Sequence, residues 1–133
     1  MVRTGPKLSA ATSEWGEKAT AELLELSPQP TALYAASNAL MPGGIKAIRR
    51  RRVRVPDAMS LVCFDDVDWF SFSQPPITAI RTSHSALAET AVRLLLSRIE
   101  SPDWRNETPA FIESPFELVI RGSTAPPKAA GPN

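Results

Sequence analysis

A chain of 133 residues with 43% hydrophobic side chains is long enough to bury one core and short for two. A formal net charge of +1 excludes a global electrostatic argument for nucleic acid or acidic partners, and the single cysteine, Cys63, excludes a disulfide framework and fits a reducing cytosol. No apolar run approaches a membrane span and none follows Arg3 and Lys7, so a cytoplasmic protein with no signal peptide and no membrane contact is expected.

In chain order, Gly5-Pro6 is a turn signal that would end a strand-to-loop segment over Met1 to Pro6. Ser13 can cap a helix running to about Leu26, because Trp15, Ala19, Leu23 and Leu26 recur at helical spacing as one apolar stripe. Ser27-Pro28-Gln29-Pro30 stops it. Thr31 to Ala36 reads as a buried strand, and Ser37-Asn38 stands where a second helix, Ala39 to Arg52, needs its N-cap. Pro42 is tolerable in the first turn, where amide hydrogens lack intrahelical partners. Gly43 and Gly44 each cost up to ~1 kcal/mol against alanine inside a helix. Arg49 to Arg52 invites a nucleic-acid reading. With no interleaved aromatics, cations complementing the negative helix end on a solvated face are the better reading.

Pro56 ends what precedes it, Asp57 opens a turn, and Met59 to Phe64 is an apolar run of strand length that reads as covered on both faces. Asp65 and Asp66 follow. In an open parallel sheet, ligands sit beyond the carboxyl ends of the strands, so these acids either face a small polar molecule or cap a turn. Trp69, Phe70 and Phe72 are core under a long loop or a wall for a ligand ring, with core the default. Pro75-Pro76 turns the chain into a short extended segment, Ile77 to Thr82. Ser83 or Ser85 then caps a helix to Glu100, with Leu87, Ala91, Leu94, Leu95 and Ile99 on one face. Ser101 to Thr108 is a polar loop, Phe116 to Arg121 a final strand closed by Gly122, and the proline-bearing tail from Thr124 reads as disordered.

Helices alternating with short apolar strands imply an α/β fold, a parallel sheet flanked by helices with right-handed crossovers, and a thin one. Catalysis finds no support. His84 has no Gly-x-Ser-x-Gly elbow to partner it, one cysteine and one histidine make no common zinc site, and no phosphate-cradling loop follows a strand. No enzyme, metal or cofactor is expected.

Four stretches carry a resemblance. Pro30 to Asn38, Val53 to Asp66, Gln74 to Arg81 and Glu117 to Thr124, the last ending Arg-Gly-Ser-Thr, are similar in order and spacing to the lac repressor (LacI/GalR-type) family of bacterial transcriptional regulators. The resemblance implies the C-terminal lobe of a type I periplasmic-binding-protein-like effector domain over residues 1–124, followed by the tail 125–133. It implies a small-molecule effector, a sugar, and a homodimer in the intact family. Operator DNA would be bound only through a helix-turn-helix that the resemblance places outside this chain, so the sequence reads as a fragment or truncated frame. Ile77 to Glu100 is the segment that in the family crosses back to the first lobe. The family pattern puts Ser37, Asn38 and Asp65 in the ligand cleft, with Trp69 or Phe72 as a wall. Cys63 and Arg52 stand where the family usually has glycine, and Thr82-Ser83 replaces a common Gln-Pro. The arginines, on a helix of the family's dimer surface, should repel their copies unless acids answer them. A solute-binding protein of a sugar transporter shares the fold and is the alternative; it would need an export signal.

Overall fold

The computed structural model describes residues 11–127 apart from 104, 107 and 110, so Met1 to Pro6 and the end of the tail lie outside the described residues. Thr12, one residue earlier than expected, caps the first helix: its hydroxyl accepts from the Trp15 amide at 3.2 Å. This helix, α1, spans Ser13–Leu24. It stops short of Leu26 because the Glu25 and Leu26 amides bond to the Glu22 and Leu23 carbonyls, tightening the last turn. Strand β1, Ala32–Ala35, follows; Ser37 then caps a 3₁₀ turn, Asn38–Leu40, which runs into α2, Met41–Arg50.

Two glycines decide how α1 meets α2. A Cβ on Gly43 would overlap the Ser13 carbonyl oxygen, and one on Gly16 would overlap the Leu40 carbonyl oxygen. The helices therefore cross backbone to backbone. This turns the buried face of α1 to Gly16, Ala19, Thr20 and Leu24, one residue round from the stripe that spacing suggests. Trp15, Leu23 and Leu26 are left half-buried.

Strands β2, Ser60–Phe64, β3, Thr78–Thr82, and β4, Phe116–Val119, complete a sheet in the order β1-β2-β3-β4. A four-residue helix, α3 (Trp69–Phe72), lies between β2 and β3, and α4, His84–Glu100, between β3 and β4. β1, β2 and β3 are parallel, as expected; β4 runs antiparallel to β3, with Ile80 opposite Leu118.

The expectation that β2 is covered on both faces fails. Leu61, Cys63 and Ala79 point to one face and are almost fully buried under Leu24, Met41 and Ile48. Ser60, Val62 and Phe64 point the other way and stay half-buried, while Tyr34, Phe116 and Leu118 are exposed on that side. The helix α4 starts beside this second face but buries no residue, and Leu87, Leu95 and Ile99 of its apolar stripe are exposed. Strand spacing specifies which residues share a face; it does not say whether anything lies over it.

The Arg-Gly-Ser-Thr ending locks the sheet. The Ser123 hydroxyl, fully buried, donates to the Leu61 carbonyl at 2.7 Å and accepts from the Thr78 amide at 2.8 Å, while the Ser123 carbonyl accepts from the Leu61 amide. One serine thus satisfies the amino ends of β2 and β3 where their own ladder has not begun. The start of the expected tail is tied in as well: Thr124 lies 3.2 Å from Thr78 through the two hydroxyls, and the Ala125 amide donates to Ser60.

Candidate functional site

The carboxyl ends of the three parallel strands bring Ser37, Asp65 and Thr82 to one edge of the sheet. The two acids after β2 part company there. Asp66, with only 5% of its side chain exposed, receives a two-pronged pair from Arg121, 2.8 Å to each oxygen, and a further contact from Arg81 at 2.7 Å. Arg121 also donates to the Ile77 carbonyl. The Arg121 hydrogen bonds hold the Asp66 carboxyl below the usual carboxylate range against the opposing effect of burial, with help from Arg81. Asp66 is a structural residue.

Asp65 adopts a left-handed backbone, φ 66, a conformation that aspartate tolerates better than most residues. Its carboxylate is thereby directed to a different set of groups: Thr82 donates to Oδ1 at 3.3 Å, and His84 Nε2 lies 3.3 Å from the same oxygen. Neither acid caps the following helix, whose N-cap is Asp68. Beside Asp65 lies an open hollow of about 560 Å³ between the second sheet face and the start of α4, walled by Phe64, Ile80, Thr82, His84 and Phe116 among others. Ser114 also lines it, and its buried hydroxyl has no hydrogen-bond partner among the described residues. An apolar floor with a few fixed polar groups at the rim suits a small polyhydroxylated molecule.

Of the other candidates, Ser37 spends its hydroxyl oxygen as an acceptor from the Ala39 amide at 3.3 Å, and Asn38 opens the 3₁₀ turn. Both sit just beyond β1 and outside the walls of the hollow. The aromatics divide three ways. Phe70 is fully buried, Trp69 rests edge-on against it with ring centres 4.6 Å apart, and Phe72 is 73% exposed. Neither Trp69 nor Phe72 lines the hollow; its aromatic walls are Phe64 and Phe116. Thr82 and His84 border the candidate site without being expected there. Their signal was available, since Thr82 ends β3 as Asp65 follows β2, but a threonine before a helix cap reads first as a turn residue.

Cys63 occupies the usual glycine position without disturbing β2. It is fully buried, and burial, with the nearby Asp65 and Asp66 charges, pushes its thiol up to about 12. Among the described residues no group of His, Cys, Asp or Glu could hold a metal, and no helix is long and apolar enough to cross a membrane.

This architecture, a mostly parallel sheet with polar groups at the strand ends, is of the periplasmic-binding-protein-like kind. A family model described as a periplasmic binding protein-like domain matches residues 2–124. The HTH-type transcriptional repressor PurR from Mannheimia succiniciproducens is 40% identical over 110 residues, covering 83% of this chain and 32% of that protein. The repressor CytR of Escherichia coli is 32% identical over 113 residues, 85% of this chain and 32% of its own length. Among solved structures, a LacI family regulator from Bifidobacterium animalis subsp. lactis superposes with a TM-score of 0.73 at 31% identity, covering 86% of this chain and 41% of that one. A LacI family regulator from Enterococcus faecium with bound ribose gives 0.68 at 28% identity, over 88% of this chain and 42% of that one. The chain belongs to the periplasmic-binding-protein-like family, in the branch of the LacI-type transcriptional regulators. It spans about a third of the length of the curated relatives it matches.

Proposed function

We propose that this chain is the effector-binding and dimerisation region of a sugar-responsive, cytoplasmic transcriptional regulator, acting by ligand binding and not by catalysis. The observation that carries the proposal is the division of labour between Asp65 and Asp66. One acid is consumed by Arg121 and Arg81, and the other is held at the rim of an open hollow. The ribose bound by the Enterococcus faecium regulator indicates the ligand class. Ser37, Asn38 and Asp65 read effector hydroxyls, with Trp69 and Phe72 as the less supported walls. The repressor relatives favour this reading over a transporter's solute-binding protein.

Alone, the chain should bind weakly. Effectors of two-lobed proteins are enclosed from both sides, and losing contacts worth even ~3 kcal/mol lowers affinity by about two powers of ten. Operator DNA should not be read either, since α1 and α2 flank a strand and no helix-turn-helix exists among the described residues. The test is titration of the full chain with ribose, glucose and cellobiose, followed by amide chemical shifts. Shifts centred on Ser37, Asn38 and Asp65, saturating only at high sugar concentration, are expected. Shifts confined to other surfaces, or none with any sugar, would remove the proposal. Mobility-shift assays with specific and scrambled operators should show no sequence preference by this chain.

A further inference from the structure

We infer that His84 is a positioning residue for the Asp65 carboxylate, a role that rests on the function proposed above. Both contacts that the described residues make to this carboxylate fall on one oxygen: Thr82 Oγ1 and His84 Nε2 each lie 3.3 Å from Oδ1. Oδ2 has no such partner among them. A carboxylate rotates about its Cβ–Cγ bond, and pinning one oxygen directs the other. Held from one side by the last residue of β3 and the first of α4, Asp65 presents Oδ2 to the hollow as a fixed acceptor.

That arrangement matters because a sugar hydroxyl gains little from an acceptor that must first be ordered. The neighbouring cations cannot do the holding. Arg81 and Arg121 are both engaged by Asp66, and the left-handed backbone of Asp65 takes its carboxylate to other partners. Thr82 by itself fixes one direction at a marginal distance. The histidine supplies a second polar contact from a different element, its Nε2 3.3 Å from Oδ1, and so couples the site to the position of α4. Its side chain is 67% exposed, so replacing it removes no core packing. Its effect should therefore be read in affinity and not in stability.

The experiment compares the full chain with Asp65→Ala, His84→Ala and His84→Gln in ribose, glucose and cellobiose titrations followed by amide shifts. Asp65→Ala should abolish the sugar-dependent shifts. His84→Ala should weaken the best of the three sugars about five- to tenfold, the loss of one polar contact to Oδ1. His84→Gln, whose amide can donate across a similar span, should restore affinity to within about twofold. Unchanged affinity in His84→Ala, with Asp65→Ala still inactive, would overturn the positioning role and leave the proposed function standing. Equal weakening by His84→Ala and His84→Gln would also overturn it, because a donated hydrogen bond would then not be what matters. Absence of sugar binding in the parent chain, or its persistence in Asp65→Ala, would overturn both.

Discussion

Arg52 sits at φ 54 immediately after α2, where the Arg52 amide bonds to the Arg49 carbonyl and the Val53 amide to the Ile48 carbonyl. That pair of bonds is a Schellman closure, which glycine fills without a Cβ penalty. A left-handed residue with a Cβ costs about 1–2 kcal/mol, and glycine returns part of that through its freer unfolded chain. Arg52→Gly should raise stability by about 0.5–1 kcal/mol, read as a higher urea midpoint at unchanged slope. Asp66 is the opposite case, a buried acid whose loss leaves Arg121 uncompensated. Asp66→Asn should cost about 3 kcal/mol at neutral pH. Because its folded carboxyl lies below the ordinary value, its contribution is present above about pH 4 and is lost as pH falls through the lowered folded value. Urea midpoints of the parent chain should therefore fall on acidification below about pH 4 more than those of Asp66→Asn. Equal falls would mean that other carboxylates dominate.

At the scale of elements, the α1–α2 crossing explains why a helix carries adjacent glycines at a propensity cost. Gly43 allows the backbones to touch, whereas a Cβ on Gly44 would lie 3.3 Å from the Thr20 hydroxyl, a contact that a side chain can relieve. Gly43→Ala should lower stability by about 1–3 kcal/mol despite improving helix propensity. Gly44→Ala should be near neutral or stabilising. Thermal melts of the two variants check this, and equal effects would argue against close contact as the cause. The same crossing alters the reading of the arginines. Arg50 pairs with Glu17, which also meets Lys46 at 2.9 Å, and Arg51 pairs with Glu25. Acids on α1 and at its C-cap answer part of the charge within the chain, so repulsion between copies is weaker than four bare arginines suggest.

For the whole molecule, the decisive feature is a sheet that the described residues cover on one face. Phe116 and Ile120 are each 73% exposed, and they continue into the uncovered face of the sheet beside the unburied stripe of α4. Exposed apolar area of this kind drives association. Sedimentation should show concentration-dependent self-association, and Phe116→Lys with Ile120→Lys should reduce it while leaving the unfolding midpoint nearly unchanged. A monodisperse parent chain would show that this face is not sticky enough to matter.

The four strands and the helices α1, α2 and α4 were legible in the sequence alone, because apolar run length, prolines and polar caps act locally, whereas α3 reads as loop and the antiparallel β4 depends on its distant partner β3; Ser37 and Pro56 do their work wherever the chain goes. The family resemblance likewise pointed to Asp65, but spacing cannot separate it from Asp66. Only the tertiary structure could, since the choice depends on Arg121, far along the chain, reaching one acid and on a left-handed turn directing the other to Thr82 and His84. The bare sheet face and the glycine-mediated crossing were hidden for the same physical reason. Periodicity records which side chains share a side, whereas cover and close approach depend on elements distant in sequence.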